Sequence, residues 1–555
     1  MSFTFNATDH PVSIQGGTFY NVAGDVNIFS PLSSAVPGPS PRILQRSQES
    51  RLTEKRKKPY NKPAKSHRAD RRLKFGENGL DILYRSVLKD AMHNSAERPP
   101  DPSCHGGTRE MVLSDLCAWS RDGRREGSLL WLYGSAGMGK SAVAQTFAAN
   151  CEIEGTLGAS FFFKRQDVGR GTWKGLFSTL AYQLATSFDE LRGVIQEAVE
   201  DDKLVVAQTM LHQYRKLLVV PLKQAPSLTV RPIIVIDGLD ECEDRSVQVM
   251  LLKLIIEGLR TGTLPVRVLI ASRPEPHLRE VLQAPDNFDF CRHLELRADG
   301  LAYADVRRYL CDEFSRIRNL HTSRGILLED DWPGQDSINH LVKKSSGTFI
   351  YAATVLRYID DEYSHPAERL DDVLRLDPQS TTPLDNLYTQ ILSTVPQKTI
   401  LRRVLHAMVR ISEDLNPEEI DAALQLRTGT SRLVLRGLHS VVCVPPVRTV
   451  GFRYGITFLH ASLRDFLLDP IRSSELCVTT PHLDSQLVRS MIMFLSNSSP
   501  NYPLFNEITE HLVHYIVRIE PIADLVPVLQ NPNILQASFS LDLESISEIV
   551  DWLQT

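Results

Sequence analysis

The stretch WLYGSAGMGKSAVAQTFA, residues 131 to 148, constrains the fold more than any other part of the chain. It begins as an apolar strand, breaks into small residues and glycines, and resumes as helix formers. Within the break, GSAGMGKS fits G-x-x-x-x-G-K-[ST], with Gly134, Gly139, Lys140 and Ser141 in the fixed positions. The glycines let the backbone around Ser135, Ala136, Gly137 and Met138 curl so that successive N–H groups point inward. The helix that follows adds its positive dipole end. Polyphosphate suits such a cradle, with Lys140 reaching the β- and γ-phosphates and the Ser141 hydroxyl ligating Mg²⁺.

A phosphate loop of this kind needs a carboxylate at the tip of a second buried strand, and IIVIDGLDEC supplies one. Asp237, emerging from Ile233 to Ile236, is expected to hold Mg²⁺ through water. Asp240, Glu241 and Glu243 follow closely, so the four acids read as a metal and water site. Glu241 is the first choice to orient or deprotonate an attacking water, with Asp240 beside it. A third apolar strand ends in VRVLIASRPEPHL and places Arg273 where it can sense a γ-phosphate.

The surroundings of these motifs fix the architecture. From Gly79 onward, strand-length runs (SLLWLY, GASFFF, PIIVID, VRVLIAS, HLELR) alternate with longer helical patterns, which predicts a mostly parallel sheet covered on both faces. After about Gly300 helical patterns dominate, including ADVRRYLCDEFSRI, SINHLVKKSSGTFIYAATVLRYI, PLDNLYTQILSTV, LRRVLHAMVRI and PEEIDAALQL. The β-prone interlude VVCVPPVRTVGFRYGITFLH then leads into another helix, the pattern of a winged-helix unit.

The expected class is therefore α/β: a P-loop NTPase sheet, then a helical domain and a winged-helix domain. Expected limits are 76–300 for the first, including a helical lead-in, 301–390 and 391–475 for the others, and 476–555 for a C-terminal helical segment. Residues 1–30 read as a short β-prone motif, with Val12, Ile14, Val22, Val26 and Ile28 punctuated by glycines. Residues 31–75 read as a disordered basic linker, with thirteen Lys and Arg against three acids between Pro41 and Phe75.

A formal net charge of −5 gives no global pull toward nucleic acid or a membrane surface, and no nucleic-acid motif is present. Eight scattered cysteines show no zinc spacing, which fits a reduced intracellular chain. With no signal peptide and no transmembrane run, the expected location is cytoplasmic, and the basic tract, besides a solvated linker, reads as a nuclear signal or a contact for acidic lipid or nucleic acid.

WLYGSAGMGKSAVAQTFA, LGASFFFKR, FSTLAYQLA, IIVIDGLDEC, VLIASRPEPHL, LVKKSSGTFIYAATVLRYI, LDNLYTQIL and TFLHASLRDFLLDP together resemble the NACHT-type nucleotide-binding proteins of mushroom-forming fungi, relatives of NOD-like receptors within the STAND signalling ATPases. The resemblance covers roughly residues 79 to 475. It implies a closed form with ADP buried between the ATPase core, a helical domain and a winged helix. It implies as well an ATP-bound open form that self-associates, in fungal non-self recognition or regulated cell death. In that family a winged-helix histidine touches the β-phosphate, a role that TFLHASLRDFL places on His460; from the residues alone a core histidine is the alternative. Gly107-Thr108-Arg109 aligns with a segment near adenine, and Thr108 reads equally as a helix cap.

Two departures stand out. Ser346-Gly347-Thr348-Phe349 replaces the Gly-x-Pro that related ATPases often place near adenine, and the last eighty residues show no repeat period of the kind that senses ligands in the family. The expected output is a conformational change with slow turnover, since ATP and ADP each stabilise the arrangement they bind better. SIQGGTFYNVAGDVNI reads either as a short ordered or disordered lead-in or as a contact for a downstream effector and a cross-β template. A conventional P-loop enzyme such as a kinase, and a scaffold that binds nucleotide without hydrolysis, are the alternative classes.

Overall fold

In the computed structural model, the described residues are the strand segments 3–7 and 10–14, residues 78–497 apart from short gaps at 96–102, 124–126, 166, 168, 226–227, 289, 377–381, 412–414 and 446–454, and Ile508 and Leu512. The chain divides into two compact units, Met1–Lys74 and Phe75–Thr555. In the first, β1 (Phe3–Ala7) and β2 (His10–Ile14) pair antiparallel, with Phe5 opposite Val12. The expected strand residues Val22, Val26 and Ile28, and the basic linker, lie outside the described residues, as do most of the expected C-terminal helices beyond Asn497.

The second unit is built on five parallel strands: β3 (Leu129–Tyr133), β4 (Leu157–Phe162), β5 (Ile233–Asp237), β6 (Arg267–Ser272) and β7 (Cys291–Glu295). Their order across the sheet is β4-β5-β6-β3-β7. The strand that leads into Arg273 therefore lies between the strand feeding the phosphate loop and the strand ending in Asp237, and all three open onto one edge. β4, β5 and β6 are buried along their whole length, as continuous apolar runs require, because helices cover both faces. Trp131, Phe161, Ile234, Ile236, Val268 and Ile270 pack on one side against Leu180, Leu184, Leu217, Leu252 and Ile255. On the other side Leu130, Leu132, Val235 and Leu269 meet Leu116, Trp119, Val143 and Phe147. Burying each such side chain contributes about 1.5–3 kcal/mol.

Helix ends follow local chemistry. Asp244 caps Arg245–Thr261 by accepting from Ser246 N and Val247 N, and Gly262, with φ 72°, closes it. Asp299 caps the long helix Gly300–Ser323 through Ala302 N.

Beyond residue 300 one continuous apolar core runs from Val306 to Leu512 through the helical segments. The run SINHLVKKSSGTFIYAATVLRYI is not one helix. It splits into Gln335–Ser345 and Phe349–Ile359, because Ser346 (φ 49°) and Gly347 (φ 72°) turn left-handed between them. A Cβ on Gly347 would also sit 3.1 Å from Ala298. Ala302 Cβ of Gly300–Ser323 lies 3.5 Å from the same position. The β-prone interlude contains only two-residue strands among the described residues, β8 (Val442–Cys443) and β9 (Thr457–Phe458), paired antiparallel before the helix Ala461–Leu468.

Candidate nucleotide site at the sheet edge

The phosphate loop joins β3 to the helix Lys140–Ile153. Gly137 (φ 78°) and Gly139 (φ 88°) take left-handed conformations that L side chains rarely adopt. Gly139 is the N-cap, with no side-chain cap on the helix, so its first amides are left to face the loop. A Cβ on Gly134 would come 2.8 Å from Leu296 O, so that glycine is fixed by packing instead. The Lys140 ammonium donates to Gly134 O and Ser135 O at 2.9 Å each, arching over the loop. Burial pulls it below the ordinary lysine value, against the attraction of Asp240 and Asp237. Ser135 and Ser141 are exposed, Ala136 is half-buried and Met138 is buried.

The loop is tied to the rest of the molecule through its carbonyls. Gly137 O accepts Phe349 N at 3.0 Å and Ile350 N at 3.3 Å, the first amides of the helix Phe349–Ile359. Met138 O accepts Arg109 Nη2 at 2.9 Å, and the Arg109 guanidinium lies 5.1 Å from the Phe349 ring centre. Arg109 N in turn donates to Asp305 Oδ2. Thr108 is not the helix cap that its position offered: its hydroxyl donates to His105 O at 2.7 Å, and the left-handed Arg109 (φ 57°) is the N-cap of Glu110–Arg121.

At the tip of β5 Asp237, Asp240 and Glu241 lie close enough to act on one another and on Lys140, yet each takes its own partners. Asp237 is buried, and Gly238 (φ 70°) turns the chain into a short helical turn over Leu239–Glu241. Asp240 turns toward β6, where its Oδ1 accepts Arg273 N at 2.9 Å and its Oδ2 lies 3.5 Å from Arg273 Nε. Glu241 Oε2 accepts Arg165 N at 3.2 Å, while Glu243 is exposed. Burial, with Asp240 and Asp237 nearby, pushes Glu241 up to about 7, into the range where a carboxylate exchanges protons with water near neutrality. Among the described residues no three His, Cys, Asp or Glu side chains form a ready metal cage. Asp237 and the Ser141 hydroxyl remain as oxygen donors, a set that fits Mg²⁺, which keeps most of its shell as water and phosphate oxygens.

The helix Ala461–Leu468 meets the same sheet edge through Arg273. His460 is its N-cap: Nδ1 accepts Ser462 N at 3.1 Å and lies 2.7 Å from Ser462 Oγ, which is 2.8 Å from the Tyr388 hydroxyl. A ring nitrogen that accepts from an amide carries no proton, so in neutral His460 the proton is on Nε2. Burial, then the charges of Arg273 and Lys140, push His460 down to about 4. Arg273 reaches the same helix, with Nη1 2.7 Å from Asp465 Oδ2. Burial opposes the Arg273 charge, yet Asp465 and Asp240 together hold it above its ordinary value.

Asp465 and Arg165 escape a motif-based reading. Asp465 stood within TFLHASLRDFL, one turn past His460, where its spacing gives it a place on the same helix but names no partner.

Residues 107–273 match the family described as Nephrocystin 3, N-terminal. No curated protein matches the chain. Among solved structures, Drosophila ORC bound to DNA is 13% identical over 78% of this chain and 95% of that one, with a TM-score of 0.33. RuvB of Thermotoga maritima is 14% identical over 67% and 97%, with a TM-score of 0.27. C. elegans PCH-2 is 12% identical over 53% and 73%, with a TM-score of 0.28. The sheet order, the left-handed glycine loop and the strand tips it faces make this an α/β P-loop fold.

Proposed function

We propose that the chain is an ATP/ADP-dependent switch of the NACHT and STAND type, in which slow hydrolysis resets a conformational change coupled to self-association. The observation that supports it best is the approach of the helix Ala461–Leu468, with its cap His460, to Arg273 and Lys140. His460, held by Ser462 N through Nδ1, keeps an Nε2–H donor in the field of Lys140 and Arg273, where it can donate to a phosphate oxygen. A site shared between domains links nucleotide contacts to domain position, which a site enclosed in one domain does not.

In this reading the loop amides and Lys140 bind the phosphates, and Ser141 and Asp237 hold Mg²⁺. That metal would supply positive charge against the phosphates. Glu241 takes the proton of the attacking water, and Arg273 meets the γ-phosphate. Residues 301–390 and 391–475 serve as the helical and winged-helix domains that move relative to 76–300. In keeping with the sequence resemblance, such a switch would act in fungal non-self recognition or regulated cell death.

The test is mass in solution for wild type and Lys140→Ala, with ADP and with a non-hydrolysable ATP analogue. The proposal expects a larger species with the analogue only, lost in the variant. A monomer that turns over ATP rapidly and never changes mass would instead indicate a conventional enzyme.

A further inference from the structure

Building on that reading, we infer that Asp465 sets the preference of the site for a nucleoside diphosphate over a triphosphate, by holding with its carboxylate the guanidinium that a γ-phosphate would need.

The geometry is specific. Asp240 accepts from Arg273 N and lies against its Nε, which fixes the base of the side chain and aims its terminal nitrogens away from β6. Asp465 Oδ2 takes Nη1 at 2.7 Å, a charge-assisted bond between two half-buried groups. The other carboxylate oxygen, Oδ1, lies 3.9 Å from Arg165 Nη1. Arg165 is itself anchored at the β5 tip, donating through Nη2 to Asp240 O at 3.0 Å and through its backbone N to Glu241. Two arginines from the sheet edge thus converge on one carboxylate from the helix Ala461–Leu468.

A planar guanidinium serves a limited number of anions at once. A γ-phosphate arriving at Arg273 must displace Asp465 or crowd a second negative charge against it, and either costs free energy that a diphosphate does not meet. Asp465 therefore belongs to nucleotide discrimination rather than to phosphate binding in general. The same pair joins two parts of the fold, so release of Asp465 also frees the helix Ala461–Leu468 from the sheet edge.

The test is equilibrium titration of the full chain with ADP and with a non-hydrolysable ATP analogue, in Mg²⁺. For Asp465→Asn, which keeps the side-chain shape, the ratio of analogue to ADP affinity should rise about tenfold, with ADP affinity nearly unchanged. Asp465→Ser should move the ratio the same way, and Asp465→Glu should leave it near wild type. In an Arg273→Ala background, Asp465→Asn should leave the ratio where Arg273→Ala alone puts it. An unchanged ratio in Asp465→Asn and Asp465→Ser, or equal weakening for both nucleotides, overturns the inference while leaving the nucleotide site in place. A wild type that binds neither nucleotide overturns the underlying reading and this inference with it.

Discussion

Gly137 O accepts the backbone amides of both Phe349 and Ile350, so a carbonyl of the phosphate loop caps the first turn of a helix more than two hundred residues away in sequence. The packing at this joint is close: a Cβ on Gly137 would lie 2.1 Å from Ile350 Cγ2. In this arrangement the loop and the start of the helical segment are thus tied directly to each other.

Gly137→Ala tests that joint. It meets both the left-handed backbone (φ 78°) and the Ile350 side chain, and should destabilise the fold by about 1–3 kcal/mol and weaken nucleotide binding with it. Gly155→Ala, also left-handed but with open space around the new methyl, should lose stability alone. Thermal melts and nucleotide titrations of the two variants check this. Equal binding losses in both would mean that the contact with Ile350 is immaterial.

Lys140→Ala removes the ammonium that Gly134 O and Ser135 O now hold. Because its long stem lies at the loop and outside the apolar core, the circular dichroism spectrum should be unchanged while affinity for ATP and ADP falls about 100-fold. Retained affinity in a titration would remove the loop from the binding site.

Glu241→Gln keeps the acceptor for Arg165 N but cannot take a proton. Hydrolysis should fall about 10²- to 10⁴-fold with nucleotide binding intact. Phosphate-release assays measure the first and titration the second. A variant as active as wild type would move the base elsewhere.

His460 makes stability depend on pH in a definite direction. Its folded value lies near 4 against an ordinary 6.5, so between these the unfolded chain binds the proton first. Stability is then fully present above pH 6.5 and declines as pH falls toward 4. Urea midpoints of wild type and His460→Gln should therefore diverge on acidification, with wild type losing more. Parallel curves would show that the imidazole is not held neutral.

Much of the sheet was legible, for a physical reason. Strands buried on both faces must be apolar throughout, so Leu129–Tyr133, Ile233–Asp237 and Arg267–Ser272 stand out, and the loop glycines mark where the backbone turns left-handed. The helical half was harder to read. Helical periodicity continues across Ser346-Gly347 because the apolar residues on either side keep their spacing, and only backbone conformation reveals the break. The acids at the β5 tip illustrate a second limit. Asp237, Asp240, Glu241 and Glu243 are neighbours in sequence, but Gly238 and the turn after it send Asp240 to Arg273 and Glu243 to solvent. Proximity along the chain says nothing about direction. The pairing of Arg273 with Asp465 spans 192 positions and leaves no local trace.

The left-handed pair Ser346-Gly347 sits just before the two amides that grip the phosphate loop. A continuous rod through this point would carry its hydrogen bonds inward and present no free N–H groups there. By interrupting the rod, the chain manufactures a fresh helix start at the one place where it can clasp Gly137. The elbow is thus a coupling pin, and stiffening it with residues that favour an unbroken helix would uncouple the two halves it joins.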